Sequence, residues 1–515
     1  MPSSKKLRTS QAPPPFQWSH LWEPAIVNPV NLKSYTIPLF NLKDPYARAF
    51  HLSWLGFFVA FLSWFAFPPL IPDAIKSDLK LTNAQVGNSN VVALAATFVV
   101  RAMVGPLVDH WGPRKVMAGI LILGAIPSGL AGTAHNAETL YALRFFIGIL
   151  GASFVPCQAW TSAFFDKSRV GTANAFVGGW GNMGGGATFV IMTSLFQTLT
   201  TTHGLTKHIA WRVAFVIVPV PVLLGVAAMI LIFGQDHPAG RWSDRHKLAN
   251  STGLQDKSTS EEQDFDHKKG SKGTADAVVI IQPVDAEDEL AQIDATVVDV
   301  AVNKSLTFGT MIEIITSPLT WLPALAYLTT FGVELAIDSK MADVLFSLYN
   351  KRDPSFTQTT AGYYTSIFGF LNIVTRPLGG YLGDVIYRSF GTKGKKIWTV
   401  LCGLIMGVTL LAGGFYLQKN EMNGDARLSI LIGVFSVSAI FSELGNGANF
   451  AMVPHCNAYN NGFMSGIVGS CGNLGGIIFA LVFRFQTDAG KGFWIMGIIC
   501  LAINVLISPI HVPES

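Results

Sequence analysis

Charged residues are scarce in this sequence: they make up 13% of the 515 residues, roughly half of the ~25% usual in a soluble domain. A soluble domain so poor in charge has too little polar material to cover its surface. Hydrophobic residues make up 50%, and the mean hydropathy is +0.41. Apolar runs of about 20 residues, each able to cross a hydrocarbon layer roughly 30 Å thick, explain this imbalance.

Other features are also missing. The five cysteines are scattered, without the spacing of a metal site or a disulfide framework, and the net charge of +4 does not indicate a nucleic-acid binder. We find no nucleophile–base set, metal cluster or nucleotide loop, so we expect neither an enzyme nor a cofactor. The N-terminus lacks the apolar core and cleavage site of a secretory signal peptide.

Twelve apolar segments are present, in two sets of six separated by a polar stretch. They lie at about 51–72, 87–108, 115–134, 139–163, 171–198, 211–234, 318–345, 360–386, 397–417, 428–452, 462–485 and 492–511. The chain therefore divides into a tail (1–46), a six-helix bundle (47–234), a linker (235–305), a second bundle (306–511) and a short end (512–515). The linker is rich in charge and nearly free of aromatics, which predicts disorder apart from a short amphipathic piece near 285–300.

Positive charge predicts the orientation of the chain in the membrane. Basic residues follow the even-numbered spans, at Arg114 and Lys115, at Lys167 and Arg169, and in the stretch 388–396. With twelve spans, these connections share one side with both termini and the linker. Because cytoplasmic loops carry an excess of Lys and Arg, we expect that side to be the cytoplasm. Separately, we expect the membrane to be the plasma membrane.

Two motifs occur once in each half, on equivalent spans. Residues 101–109 (RAMVGPLVD) and 376–384 (RPLGGYLGD) share R-x-x-x-G-x-L-x-D in the second span of each half. Residues 178–185 (GGWGNMGG) and 469–476 (GSCGNLGG) share G-x-x-G-N in the fifth span. The halves are therefore parallel repeats, an arrangement in which transporters bind substrate near the midplane between the halves.

The first motif places an arginine deep in each half. Arg101 lies eight residues before Asp109, at the end of its span, which puts it ~12 Å inside the membrane; the same holds for Arg376. Two buried guanidinium groups facing one cavity would repel each other, and each costs at least about 2.5 kcal/mol. A planar oxyanion between them relieves both penalties, since the guanidinium fork donates parallel hydrogen bonds. Pairing with acidic residues of other spans, or snorkelling to the interface, is the alternative.

The second motif carries glycines and an asparagine. Close packing of helices accounts for the spaced glycines, for which we name Gly178, Gly184, Gly469 and Gly475. It does not account for Asn182 and Asn473, whose amide groups can donate either to an oxyanion or to a neighbouring helix.

Three aromatic residues and a glutamine lie in spans four and seven. By periodicity alone, Phe154, Tyr327 and Phe331 are packing residues. Gln158, one turn from Phe154, either lines the cavity or bonds to a neighbouring helix.

The stretch GPLVDHWGPRK resembles the signature that follows span two in the major facilitator superfamily, where its glycine, aspartate and basic residues form a cytoplasmic gate. This resemblance implies that Gly105, Asp109 and Arg114 are gate residues. Gly380 and Asp384 match them in the second half, which lacks the compact basic ending.

The paired glycine–asparagine helices resemble those of the nitrate/nitrite porter family, over about residues 45–511. The segment FGVELAID resembles the eukaryotic branch of that family, and the long linker resembles its fungal members. The resemblance implies an all-α major facilitator fold of twelve transmembrane helices, in two six-helix halves related by a pseudo-two-fold axis. It also implies these substrate-binding residues: Arg101, Arg376, Phe154, Tyr327 and Phe331.

The implied activity is import of nitrate, with nitrite, by alternating access. Entry of a monovalent anion into a negative interior is uphill by about 2.3 kcal/mol per 100 mV, so import requires a co-transported cation. The eukaryotic branch implies proton symport, and the candidate proton carriers are Glu334, Asp338, Glu443 and His455.

Three other functions remain open. One is exchange of nitrate for nitrite, which requires no proton carrier, and another is transport of a different small anion. The third is a nutrient sensor that signals through the linker, whose Ser, Thr and acidic clusters could recruit kinases or other regulators.

Overall fold

The computed structural model describes residues 8–10, 13–29, 31–244, 307–421, 426–457, 461–486 and 488–512. Ten helical stretches among them are long and apolar enough to cross a membrane. One of these, Gln358–Asn420, contains two spans, because Gly391 bends the chain there with φ 60° and ψ −159°. A further long helix, Lys167–Thr201, is less apolar because of its many glycines and polar residues. The twelve predicted spans are therefore all present as helices.

We number the twelve spans α1 to α12 along the chain. The first half contains Pro45–Asp78, Asn83–Trp111, Pro113–Thr133, Ala137–Phe164, Lys167–Thr201 and Lys207–Phe233. The second half contains Pro318–Tyr349, 358–390, 392–420, Leu428–Cys456, Gly462–Phe485 and Ala489–Ile507. A short helix, Phe308–Thr316, precedes α7, and the strands Arg8–Thr9 and Ile26–Val27 form a two-stranded parallel sheet before α1.

Two spans change their helical geometry near the middle of the bundle. In α4, a 3-10 segment at Gly148–Ser153 joins two α-helical pieces. In α8, the helix Gln358–Leu371 ends and a second helix begins at Thr375. Such irregular turns inside a membrane helix often mark functional positions, because they redirect backbone carbonyls and side chains.

The two halves contact each other at both ends of the bundle. At the end of α1 that carries Asp78, the side chain of Gln358 accepts hydrogen bonds from the backbone of Asp73 and Ala74, at 2.6 and 3.2 Å. At the opposite end, Thr172 of α5 donates to Asp384 of α8 through its backbone and its hydroxyl, at 2.9 and 2.8 Å. The two halves are therefore in contact at both ends of the bundle. We call these ends the Asp78 end and the Asp384 end.

Both segments that adjoin the first bundle are ordered where they are described. In the tail, Ser34 pairs with the end of α4, and the backbone of Asp166 donates to its carbonyl at 3.0 Å. The first ten residues of the predicted disordered linker pack against the bundle instead: Trp160 donates to the carbonyl of Gln235 at 2.8 Å. The rest of the linker, including the predicted amphipathic piece at 285–300, lies outside the described residues, as do residues 513–515.

Candidate functional site

Arg101 of α2 and Arg376 of α8 both lie close to one phenyl ring inside the bundle. Their guanidinium carbons lie 5.1 and 5.7 Å from the centroid of Phe154. Both side chains are buried, with 0% and 1% exposure. The helices thus bring together two cations that are far apart in the chain, at equivalent positions of the repeat.

Each guanidinium group keeps one donor nitrogen without a hydrogen-bond partner. Arg101 donates to the carbonyls of Gly151 and Gly469, at 2.8 and 2.9 Å. Arg376 donates from Nη2 to the Tyr327 hydroxyl at 3.2 Å. Nη2 of Arg101 and Nη1 of Arg376 are buried and find no acceptor among the described residues. A buried charged donor left unpaired is costly, so these two groups favour an acceptor between them.

Four aromatic rings surround this pair of arginines. Tyr327 and Phe331 of α7 stack with centroids 4.8 Å apart, and Phe154 of the other half lies nearly parallel to Tyr327 at 5.8 Å. Phe450 of α10 meets the rings of Phe154 and Tyr327 edge-on, at 4.7 and 4.9 Å. The three predicted cavity aromatics therefore lie together, and Phe450 joins them.

The position of Phe450 could have been found from the sequence. Residues 151–154 read GASF and residues 447–450 read GANF, a third internal repeat that places the two phenylalanines on equivalent spans.

Two of the glycines assigned to helix packing lie against the arginines instead. A Cβ at Gly178 would be 3.0 Å from Nε of Arg376, and one at Gly469 would be 3.3 Å from Cδ of Arg101. These two glycines leave room for the guanidinium stems.

The other two predicted packing glycines do bring helices together. A Cβ at Gly184 would collide with the carbonyl of Phe58 in α1, and one at Gly475 with the carbonyl of Leu328 in α7. This contact is the small-residue packing expected between membrane helices.

Glu334 of α7 lies beside the arginines and collects three amide donors. Asn182 and Asn372 donate to its Oε1, each at 2.9 Å, and Asn446 donates to its Oε2 at 2.7 Å. Nη1 of Arg376 is 3.8 Å from Oε2. Asn182 thus bonds to a neighbouring helix, which was the alternative to donating to an oxyanion. Arg376 pairs with an acidic residue, which was the alternative to holding an anion.

A second carboxyl group is connected to Glu334 by an amide. Nδ2 of Asn372 also donates to Glu443 at 3.0 Å, and Glu443 accepts from the hydroxyl of Thr375. Asp338 lies one turn along α7 from Glu334 and is also buried. Three of the four candidate proton carriers therefore form one cluster, and the break in α8 supplies its linking residues.

The remaining predicted residues lie at varying distances from this cluster. Asn473 donates to the carbonyl of Gly469 in its own helix, at 3.0 Å. Gln158 donates to the carbonyl of Asn174 at 3.2 Å, and its Nε2 lies beside Gly178. His455 lies apart from the arginines, with its Nε2 3.1 Å from Nζ of Lys395, near the Asp384 end.

The predicted gate residues of the second half contact the first half. Oδ2 of Asp384 accepts both hydrogen bonds from Thr172, while its Oδ1 pairs with Lys395 at 3.0 Å. A Cβ at Gly380 would lie 2.7 Å from the carbonyl of Gly171. This end of α8 therefore packs directly on the start of α5.

The gate residues of the first half make the equivalent contact: the end of α2 packs on the start of α11 in the second half. A Cβ at Gly105 would lie 2.9 Å from the carbonyl of Gly462 in α11, and Gly462 in turn faces the carboxylate of Asp109. Arg114 makes its contacts within its own half, pairing with Asp236 at 3.1 Å. It ties the start of α3 to the segment after α6 rather than to the second half.

Two six-helix repeats that enclose buried cations and contact each other at both ends define the class of this protein as a multi-pass membrane transporter. Residues 53–480 match the family model described as Major Facilitator Superfamily. A solved structure has the same fold: an inward-facing, unoccupied bacterial homolog of the human lysosomal transporter Spinster. Its TM-score is 0.55 at 13% identity, with 90% of this chain and 95% of that chain covered.

Sequence comparison defines the family more closely. The chain is 31% identical to "High affinity nitrate transporter 2.5" of Arabidopsis thaliana, over 94% of this chain and 83% of the relative. It is 31% identical to "Nitrate transporter 2.1" of Chlamydomonas reinhardtii, over 92% and 76%. It is 26% identical to "Nitrate/nitrite transporter NrtP" of Nostoc punctiforme, over 90% and 91%. The chain belongs to the nitrate/nitrite porter family of the major facilitator superfamily.

Proposed function

We propose that this protein imports nitrate, and nitrite as a second substrate, across the plasma membrane by alternating access. In this proposal the bundles 47–234 and 306–511 rock against each other, and both termini face the cytoplasm. One observation carries the proposal: two buried guanidinium groups, one from each half, each keep a donor nitrogen without an acceptor among the described residues.

The surroundings of these two donors favour a small, flat, monovalent anion. Phe154 and Tyr327 belong to different halves and lie nearly parallel, with an interplanar angle of 16°. When the halves part slightly, a planar anion fits between the rings while its oxygens accept from Arg101 and Arg376. The rings also exclude water, which strengthens each charge-assisted hydrogen bond. A larger polyvalent anion such as phosphate would bring more charge than this ring-lined space can solvate.

In this proposal, transport is coupled to protons because Glu334 and the transported anion compete for Arg376. Glu334, when ionised, neutralises that guanidinium across 3.8 Å and repels an incoming anion. A proton on Glu334 removes both effects and leaves Arg376 to bind nitrate. Asn372, which bonds both Glu334 and Glu443, extends the path for protons to a second carboxyl group. We therefore assign the primary proton-carrier role to Glu334 rather than to His455, which lies near the Asp384 end.

The test is an electrical recording from membranes that contain the full chain. Nitrate is added at two external pH values to wild type, to Arg376→Ala and to the control Arg352→Ala, whose side chain lies in the connection after α7. Inward positive current that grows as external pH falls, persists in the control and vanishes in Arg376→Ala is the expected result. That result requires more than one proton per anion.

Two other outcomes would redirect the proposal. Uptake of labelled nitrate without current or pH dependence would mean electroneutral exchange for nitrite, and the proton-carrier assignment would be rejected. A response to phosphate or a carboxylate but not to nitrate would leave the fold unaffected and reject the substrate.

A further inference from the structure

A third arginine is buried in the membrane part of the bundle, away from the central pair. Arg144 of α4 is 5% exposed, and its Nη1 donates to Ser89 and to Oδ1 of Asn90, both at 2.6 Å. Its guanidinium carbon lies 5.6 Å from the ring centroid of Phe67. No carboxylate of a described residue forms an ion pair with it. This cation is therefore solvated by neutral groups alone.

Arg144 lines a small cavity between the two halves. Its walls come from α1, α2 and α4 of the first half and from α7 of the second half. They are Trp64, Phe65, Asn90, Ala93, Leu94, Arg144, Leu335 and Ser339. Along α2, Asn90 precedes Arg101 by eleven residues, or ~16 Å along the helix axis. The cavity thus lies between the central arginines and the Asp78 end.

An aromatic layer separates this cavity from the central site. Trp64 lines the cavity and packs on Phe61 with centroids 5.1 Å apart. Phe61 in turn lies 6.5 Å from Phe331, one of the rings beside Arg101. An anion in the cavity would be one aromatic layer away from the central pair, on the line between that pair and the Asp78 end.

A purely structural role does not require the charge of Arg144. Its two hydrogen bonds clamp α4 to α2, and a neutral amide could donate the same bonds. A buried, unpaired guanidinium is costly in a membrane, where such residues are rare and mark ion pathways. Asn90 lines the same cavity and accepts from Arg144 through its Oδ1, so a cation and an amide group lie together in its wall.

We propose that Arg144 and Asn90 form an outer subsite for a small monovalent oxyanion. This proposal rests on the proposed function: the oxyanion is the transported nitrate, held here before it passes Trp64 to reach the central pair. The cavity is closed in this conformation and opens when the halves separate at the Asp78 end, since Leu335 and Ser339 belong to the second half. Two cationic sites in series raise the local anion concentration at the central site.

The first test counts bound nitrate. Equilibrium dialysis with labelled nitrate uses the full chain in lipid nanodiscs, and the thermal unfolding temperature of each variant verifies its folding. Wild type should bind two nitrates per chain. Arg101→Ala/Arg376→Ala should retain one weaker, saturable nitrate, and adding Arg144→Gln, which preserves a donor for Ser89, should abolish it. Adding Arg352→Gln instead is the control and should change nothing.

The outcomes separate this proposal from the proposed function. If the central variant is folded and binds no nitrate, the outer subsite is refuted while the central site stands. If wild type and the central variant bind the same number of nitrates, the central assignment fails and the outer one stands. If the remaining nitrate survives Arg144→Gln, the subsite is not at Arg144.

A transport assay supplies the second test. Arg144→Gln should raise KM for nitrate roughly fivefold with little change in maximal rate, because it removes binding on the way to the central site. Arg144→Lys, which restores the charge, should recover part of that loss. A role confined to clamping α4 onto α2 predicts an unchanged KM in both variants, because the amide of Gln and the ammonium of Lys can each donate to Ser89 or Asn90.

Discussion

Replacing Glu334 by glutamine should tighten nitrate binding and remove its dependence on pH. The substitution keeps the size of the side chain and deletes the negative charge that lies 3.8 Å from Arg376. The new amide can be accommodated, because the Oδ1 atoms of Asn182, Asn372 and Asn446 have no partners among the described residues. Any of these amides can flip to accept a hydrogen bond from the glutamine.

The magnitude follows from Coulomb's law. Two unit charges at 3.8 Å interact by about 4 kcal/mol with an effective dielectric constant of ~20. The three amide donors already offset part of this charge. A gain of about 1.4 kcal/mol, or roughly tenfold in Kd, is therefore the minimum that we expect at neutral pH.

Calorimetric titration of the purified chain with nitrate at pH 5.5 and 7.5 measures both effects. In wild type, acid protonates Glu334 and frees Arg376, so affinity should rise as pH falls; in Glu334→Gln it should be high and equal at both values. The matched control is Asp343→Asn, which removes from the same helix a carboxyl group that pairs with Lys340 and lies outside the Glu334 cluster. Weaker binding in Glu334→Gln, with the pH dependence retained, would refute the competition model.

Three further predictions concern other parts of the bundle. Arg101→Lys should reduce nitrate uptake at least tenfold despite the retained charge, because an ammonium group lacks the planar fork; wild-type KM in this variant would exclude bidentate binding. Gly475→Ala should lower the unfolding temperature, since its methyl group meets the carbonyl of Leu328; an unchanged melting curve would contradict this contact. Thr172→Val should loosen the contact between Thr172 and Asp384, so that a soluble maleimide labels Cys456, the only half-buried cysteine of the five, more quickly. An unchanged labelling rate would show that this contact does not hold the Asp384 end together.

The placement of the arginines was predictable because it depends on one helix at a time. Counting residues from Asp109 gives the depth of Arg101, and the internal repeat transfers the result to Arg376. The aromatic residues followed from the family resemblance, and Phe450 was available from a repeat of four residues. Depth and repetition are one-dimensional properties, which a sequence contains directly.

The partners of the polar side chains were not predictable in the same way. Whether Asn182 faces an anion or Glu334 depends on the rotation of α5 relative to α7, which no single helix determines. The contact of Gly178 with Arg376 depends on the packing of α5 against α8 in the same manner. The sequence also did not predict the irregular backbone of two spans. Apolar composition alone does not indicate the 3-10 segment in α4 or the break in α8 beside Thr375.

The two arginines are equivalent by sequence and unequal in their surroundings, and we infer that this inequality sets the order of steps in the proposed transport cycle. Arg101 donates to Gly469 of the opposite half, so the halves cannot part at that contact without breaking a charged hydrogen bond. Arg376 is paired with Glu334 of its own half, and in the proposed mechanism protonation of Glu334 releases it. An anion that bridges both guanidinium groups replaces the Gly469 carbonyl as the partner of Arg101 and the Glu334 carboxylate as the partner of Arg376. In the proposed mechanism, proton and anion together therefore lower the barrier to opening: a proton alone leaves Arg376 without a partner, and an anion alone is repelled by the ionised Glu334.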